Sequence, residues 1–316
     1  MLKIHFINVG EGDATLLEYD DGNGIFRVLI DTGRDDLFLP SEGSLRLHAS
    51  DYLNELGITY LDVLILTHLH VDHSADLTAL LERVRVGTLY CSYYPADKTI
   101  RIPPEPDAER HVEELIEDLN RYAENLTVME KAGTLFKRCQ RDETIPTPEG
   151  LTIRILTADP DRVERQNSIY DGMFSGEDLP EEIKYEAAEL RNPNSLRILA
   201  GYAGRTVRIE GDYLAENVSV PDLEPCDILK VSHHGDRKSI TPEIAKALHP
   251  RYSVISCKRE YVPSKDRPSK TVADLLRING SDVIYTDCFH EEGFPVRYRK
   301  AVRMDICPDG TIRSED

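Results

Sequence analysis

The stretch THLHVDHSADL, residues 67–77, constrains this chain more than any other. It places His68, His70, Asp72 and His73 close together, directly after the apolar run Leu61–Leu66. Four such side chains cannot sit beside a core without partners, because each buried polar group left unbonded is costly. The apolar run reads as a strand and the residues that follow have helical spacing, so the H-x-H-x-D-H segment falls on a strand-to-helix turn, where alternate side chains converge. Imidazole suits zinc and related divalent ions, and a carboxylate adds a hard oxygen ligand. The competing reading is a solvated loop rich in histidine. The density of ligand types favours a metal site, and the number of ligands suits two ions.

Strand-like runs lie at Lys3–Val9, Ala14–Tyr19, Ile25–Ile30, Leu61–Leu66 and Val86–Cys91, and again at Leu151–Leu156, Leu196–Ala200, Val207–Glu210, Ile228–Val231 and Tyr252–Ser256. Between them, Val112, Leu115, Ile116, Leu119, Tyr122, Ala123 and Leu126 share one helical face opposite an acidic one. Shorter helices are expected over Ser44–Leu56, Ser74–Arg83, Thr241–Leu248 and Thr271–Ile278, the first stopped by Gly57. Strands followed by strands alternating with helices, in both halves, predict an α/β fold of two sheets packed face to face with helices outside. No low-complexity linker divides the chain, so a single domain over 1–316 is expected. The polar, acidic stretch Asp159–Arg191 has an ambiguous period and reads as an inserted lid or cap.

Charge narrows the possible partners. Asp and Glu number 57 against 38 Lys and Arg, a formal net charge of −19, so any nucleic-acid role needs a local basic patch. One such run exists at Lys258, Arg259, Lys265, Arg267 and Lys270. An acidic body with a basic mouth suits a phosphodiester, short or single-stranded nucleic acid or another small molecule, and argues against wrapping long duplex DNA. No apolar stretch approaches the roughly 20 residues of a membrane helix, and no membrane partner is expected. The opening MLKIHFINVG alternates like a strand and lacks the apolar block of a secretory signal. Six cysteines lie far apart with no C-x-x-C pair, which suits reduced thiols and a cytoplasmic location. G-x-S-x-G, G-x-x-x-x-G-K-[ST] and G-x-G-x-x-G are all absent, so neither a serine nucleophile elbow nor a glycine-loop nucleotide site is indicated.

INVGEGDATLLE (7–18), LIDTG (29–33), THLHVDH (67–73), NPNSLRI (192–198), RIEGD (208–212) and ILKVSHHGD (228–236) occur in this order across most of the chain. Together they resemble the metallo-β-lactamase fold superfamily, and within it the soluble domain of ComEC-type DNA-uptake proteins and their free-standing relatives. The resemblance implies a four-layer αββα sandwich with a metal site at one edge of the two sheets, holding two divalent ions, Zn2+ or Mn2+. It assigns His68 and His70 to the first ion, Asp72 and His73 to the second, and Asp212 as the bridge. One of His233 and His234 is expected to reach the metals or the substrate, His234 as a ligand and His233 as a donor to the leaving oxygen. Asp13, Asp31 and Asn194 resemble acids and amides that orient ligands. Gly211 allows close backbone approach before Asp212.

The chain also departs from the family pattern. NPNS at 192–195 stands where most members carry a third histidine, and SKDRPSK at 264–270 stands where relatives have Tyr-Gly-His-Pro. Arg267 therefore occupies the place of a possible ligand, and His290 in TDCFHEEG is either a compensating ligand or a surface residue. Two ions would turn a shared water into a hydroxide nucleophile, with Asp72 aligning it. The leading expectation is a metal-dependent phosphodiesterase or nuclease in which Lys265 and Arg267 bind substrate phosphate. The alternatives are a hydrolase of a small lactone, amide or thioester, and a catalytically weakened binding module.

Overall fold

The structure is a computed structural model that describes residues 1–37, 43–105, 107–263, 266–293 and 295–315. Strands β1 (Leu2–Ile7), β2 (Thr15–Asp20), β3 (Ile25–Ile30), β4 (Tyr60–Ile65), β5 (Arg85–Cys91) and β6 (Leu135–Arg138) form one sheet. A second contains β7 (Glu143–Thr144), β8 (Leu151–Leu156), β9 (Arg197–Tyr202), β10 (Arg205–Ile209), β11 (Ile228–Lys230), β12 (Tyr252–Ile255) and β13 (Asp282–Tyr285). The chain then returns to the first sheet as β14 (Ala301–Ile306) and β15 (Ile312–Glu315), giving the orders β15-β14-β1-β2-β3-β4-β5-β6 and β13-β12-β11-β10-β9-β8-β7.

Helices α1 (Ala49–Glu55), α2 (Val71–Ser74), α3 (Leu77–Leu81), α4 (Arg110–Lys131), α5 (Pro160–Ser175) and α6 (Glu181–Glu189) precede α7 (Pro242–Leu248) and α8 (Lys270–Ile278). The strands bury both faces. In β3, Val28 and Ile30 enter the core between the sheets while Leu29 faces the helices, and in β4 Val63 and Ile65 point inward while Leu64 points out. This two-sided burial is why these runs read as continuously apolar. Phe6, Leu17 and Ile65 meet Ile153, Ile198, Val207 and Ile228 between the sheets. Residues of α1, α3, α4, α5 and α6 cover the first sheet, and those of α7 and α8 cover the second. The result is the αββα sandwich expected from the sequence.

Local signals and tertiary demands divide the remaining details. The amphipathic stripe becomes α4, with Glu109 at its start accepting from the His111 backbone N–H. The helix expected over 44–56 starts only at Ala49, because Ser44 is held by Asp287 and the Leu47 N–H donates to the Asn8 carbonyl. Where a lid was expected, at 159–191, Asp159 caps α5 through the N–H groups of Asp161 and Arg162, and α6 follows. Ile169, Tyr170, Met173, Phe174, Ala187 and Ala188 of this pair share one core cluster with α4. Among the described residues no helix is long and apolar enough to cross a membrane.

The parallel runs β3-β4-β5-β6 and β10-β11-β12-β13 align strand ends of like direction. Asp31 follows β3, the histidine turn follows β4, Asp212 follows β10 and His233–His234 follow β11. The carboxyl ends of parallel strands are where α/β sheets hold ligands.

Candidate metal centre

The turn after β4 is fixed before any ligand enters. Asp31, held at φ 58, accepts from the Thr67 N–H at 2.8 Å and from Thr67 Oγ1 at 2.7 Å. Its Oδ2 also lies 2.8 Å from His73 Nδ1, which turns His73 Nε2 toward the opposite sheet. A carboxylate behind an imidazole sets tautomer and aim in metal sites. His68 Nδ1 is steadied by Thr67 Oγ1 at 3.1 Å and Ser195 Oγ at 3.2 Å, leaving Nε2 facing His70 Nδ1 at 2.8 Å. On the other sheet, Gly211 at φ 50 brings the chain against Thr67, and Asp212 follows it inward. His233 and His234 adopt left-handed φ values of 48° and 54°, uncommon for residues with side chains and frequent at functional sites.

Among the described residues three candidate ligand groups result; one, Asp13 and Asp31 with His73, contains the carboxylates nearest His73 Nδ1, and the other two share Asp212. Of these two, His68, His70 and Asp212 form one, while Asp72, His73, Asp212 and His234 form the other. His73 Nε2 lies 3.3 Å from Asp212 Oδ1, and His234 Nε2 lies 3.7 Å from that oxygen and 3.2 Å from Asp72 Oδ2. His73 Nε2, Asp212 Oδ1 and His234 Nε2 are buried and make no hydrogen bond. Buried polar atoms left this way call for an explanation. Ligand atoms about 2.0–2.2 Å from a tetrahedral ion lie roughly 3.3–3.6 Å apart, and the 3.2, 3.3 and 3.7 Å separations among Asp72, His73, His234 and Asp212 are close to that. The residues present therefore fit divalent metal.

Electrostatics agree with that fit. Burial disfavours charge on His73 and His234, yet Asp212 with Asp31, and Asp212 with Asp13, hold both above the ordinary imidazole value. These carboxylates attract positive charge to the positions that a metal ion would take over from protons. Burial lowers His68 and His70 and keeps them neutral, the form in which imidazole binds metal. Asp13, from the β1–β2 turn, places Oδ1 3.4 Å from His234 Nδ1 and pairs with the buried ammonium of Lys230. Burial alone would raise its carboxyl, but Lys230, His234 and His73 hold it below the usual range.

The site opens beside Asp72 and His233, whose side chains are 16% and 17% exposed, while His73 and His234 are fully enclosed. His233 Nε2 lies 3.7 Å from Asp212 Oδ2 and 3.3 Å from Asn192 Nδ2, and accepts from Arg267 Nη2. Burial pushes His233 down to about 4, with Asp212 opposing and Arg267 adding to the effect. Arg267 reaches the site but is itself 5% exposed, donating to Glu11 and lying 3.6 Å from Asp236.

Three expectations need adjusting. The Asn194 side chain bonds to Arg162 and Gln166 of α5, and Arg162 also holds the Pro193 carbonyl of the same turn and the Asn217 side chain beyond it. The neighbouring Ser195 is the residue of this turn that lies next to His68 Nδ1 and the Asp212 N–H. The basic run is not an open patch over its described part, since Lys258 and Arg267 share Glu11 and Lys270 pairs with Asp274. Lys265 lies outside the described residues. His290 is exposed and belongs to none of the candidate ligand groups. Glu11 and Lys230 were not singled out by sequence, and Ser195 was read only as a member of the NPNS turn; for Lys230 the available signal is a lysine inside the apolar run ILKV.

Two facing sheets with a His/Asp cluster at their carboxyl edge define the class: an αββα sandwich with a candidate metal centre. The metallo-beta-lactamase superfamily model matches residues 7–258, and the chain belongs to that superfamily. It is similar to ComE operon protein 3 of Bacillus subtilis (strain 168), with 24% identity over 294 residues, covering 90% of this chain and 32% of that protein. The chain thus spans about a third of the length of the curated relative it matches. Among solved structures it is similar to the metallo-beta-lactamase fold protein YhfI from Bacillus subtilis, at 14% identity and TM-score 0.46 over 99% of each chain. It is also similar to a diphosphatase from the PhnP family, at 13% identity and TM-score 0.46, over 92% of this chain and 87% of that one.

Proposed function

We propose that this protein is a hydrolase dependent on two divalent ions, Zn2+ or Mn2+, that cleaves a phosphodiester. The observation that carries the reading is the meeting of unbonded His73 Nε2, Asp212 Oδ1 and His234 Nε2 inside a buried carboxylate and imidazole cluster. His68, His70 and Asp212 would hold one ion, and Asp72, His73, His234 and Asp212 the other. Bound ions of this kind supply an activated water and neutralise charge on the departing oxygen. Asp72, on the open side, accepts a hydrogen bond from the attacking water and sets its direction. His233 stays neutral and faces the same opening. Arg267 exchanges its contact with His233 for a phosphoryl oxygen, giving a planar donor where negative charge gathers.

A second reading, hydrolysis of a neutral lactone, amide or thioester, draws on the pairing of Lys258 and Arg267 with Glu11, which leaves little unbalanced positive charge at the opening. The two readings separate in steady-state hydrolysis of bis(p-nitrophenyl) phosphate and of a lactone, with metal quantified in each preparation. Arg267→Ala is expected to lower kcat/KM for the phosphodiester by about 1.5–3 kcal/mol of transition-state stabilisation, with lactone turnover and metal content little changed. Unchanged phosphodiester kinetics in that variant would favour the neutral substrate.

A further inference from the structure

Lys230 is the last residue of β11, a central strand with parallel neighbours on both sides. Ile228, two positions earlier, packs between the sheets, and Leu229 packs toward α7 and α8. By alternation Lys230 points into the space between the sheets, where it is 0% exposed. It crosses that space to Asp13 of the β1–β2 turn on the other sheet. An ammonium buried in a sandwich core costs several kcal/mol of desolvation, and an apolar side chain of similar volume commonly stabilises such a position. A filler residue would not be lysine.

Asp13 spans the two halves of the centre. Its Oδ1 lies 3.4 Å from His234 Nδ1 and its Oδ2 3.8 Å from His73 Nδ1, while Lys230 takes Oδ2. Both imidazoles direct their other nitrogen, Nε2, at Asp212 Oδ1. Without a partner on Oδ2, the carboxylate could turn away from His234. We propose that Lys230 is a positioning residue of the metal centre, a fixed internal cation that acts through Asp13 to aim His234, and more weakly His73, at the bound ion.

This inference rests on the metal-centre reading above, and its test keeps the two apart. Zinc affinity is measured by competition with a chromogenic chelator on wild type, Asp13→Asn, Lys230→Met and the double variant, with urea unfolding reporting the fold of each. The expected result is a loss of affinity of roughly tenfold or more in each single variant, the scale seen when partners of ligands are removed. The double variant is expected to lose no more than Asp13→Asn alone, because the lysine has no route to the metal except that carboxylate. A charge-retaining Lys230→Arg should recover part of the loss, which a packing role alone would not produce.

A folded Lys230→Met protein with wild-type or tighter zinc affinity would overturn the proposal, since a lysine that only repels cations would give that result. If Lys230→Met does not fold, the electrically neutral double variant is compared with Asp13→Asn. Equal affinities support a role through Asp13, and a further loss overturns it. Wild-type protein with no measurable zinc affinity would instead sink the metal-centre reading, and the inference with it.

Discussion

Asp212 is the one side chain common to both of the ligand groups proposed to hold ions, and it enters from the sheet opposite the histidine turn. Its neighbours are His68, His73, His233 and His234; burial alone would raise its carboxyl, but His73, His233 and His234 hold it well below the usual range. Removing it would take a ligand from each ion while opening no cavity in the apolar core. Asp212→Ala is therefore expected to lose bound metal in elemental analysis and to lose turnover, with a urea midpoint close to that of metal-free wild type. Turnover retained in the folded variant would place the reacting atoms elsewhere. At this scale the sequence was legible where chemistry is dense: the H-x-H-x-D-H spacing identified His68, His70, Asp72 and His73, which the fold brings together with Asp212. It was not legible at NPNS, where the choice between Asn194 and Ser195 depends on Arg162, a residue of a different element. Lys230 escaped notice for a similar reason, because its partner Asp13 belongs to the other sheet.

Elements carry the site through close backbone approaches, and the tightest is at the β1–β2 turn. The Asp13 N–H donates to the Asp72 carbonyl at 3.1 Å, and a Cβ on Gly12 would stand 2.5 Å from that same oxygen. Gly12 also sits at φ 151, a conformation that side chains resist. The obstructing atom is backbone in α2, so relief requires moving the segment that carries Asp72 and His73. Gly12→Ala is expected to cost about 1–3 kcal/mol in urea unfolding and to weaken zinc binding as well. A variant with unchanged stability and zinc affinity would mean that the turn and α2 move independently. Elements with a strong apolar signal, such as the continuous runs of β3 and β4 and the helical stripe of α4, could be read directly. In α5 the buried Gln166 and Asn167 amide groups donate to the Ala187 and Ser92 carbonyls, so the inward face is partly polar and its period is blurred. Four-residue strands such as β6 and β13 are too short for alternation to stand out, and β14 takes its place by pairing with β1 from the far end of the chain.

Across the whole molecule the site lies where the two sheets meet at one edge, beyond the apolar core they share. Asp31 and the residues from His68 to His73 belong to the first sheet, while Asp212 and His234 belong to the second, so a shared ion closes a link between them. The carboxylates Asp72 and Asp212 sit with enclosed imidazoles in a chain of net charge −19, and divalent charge would relieve their mutual repulsion. An unfolded chain scatters these ligands from Asp72 to His234 and binds metal far more weakly, so zinc should stabilise the native state by mass action. At free zinc near a thousand times Kd the gain is about 4 kcal/mol, which raises the urea midpoint by roughly 1 M for a protein of this size. Zinc-loaded and chelator-treated wild type should differ by that amount with similar slopes, because the same surface is exposed on unfolding. Asp212→Ala should show almost no zinc dependence in the same measurement. A zinc-induced rise that survives in Asp212→Ala would mean that the stabilising ion lies outside the sheet edge.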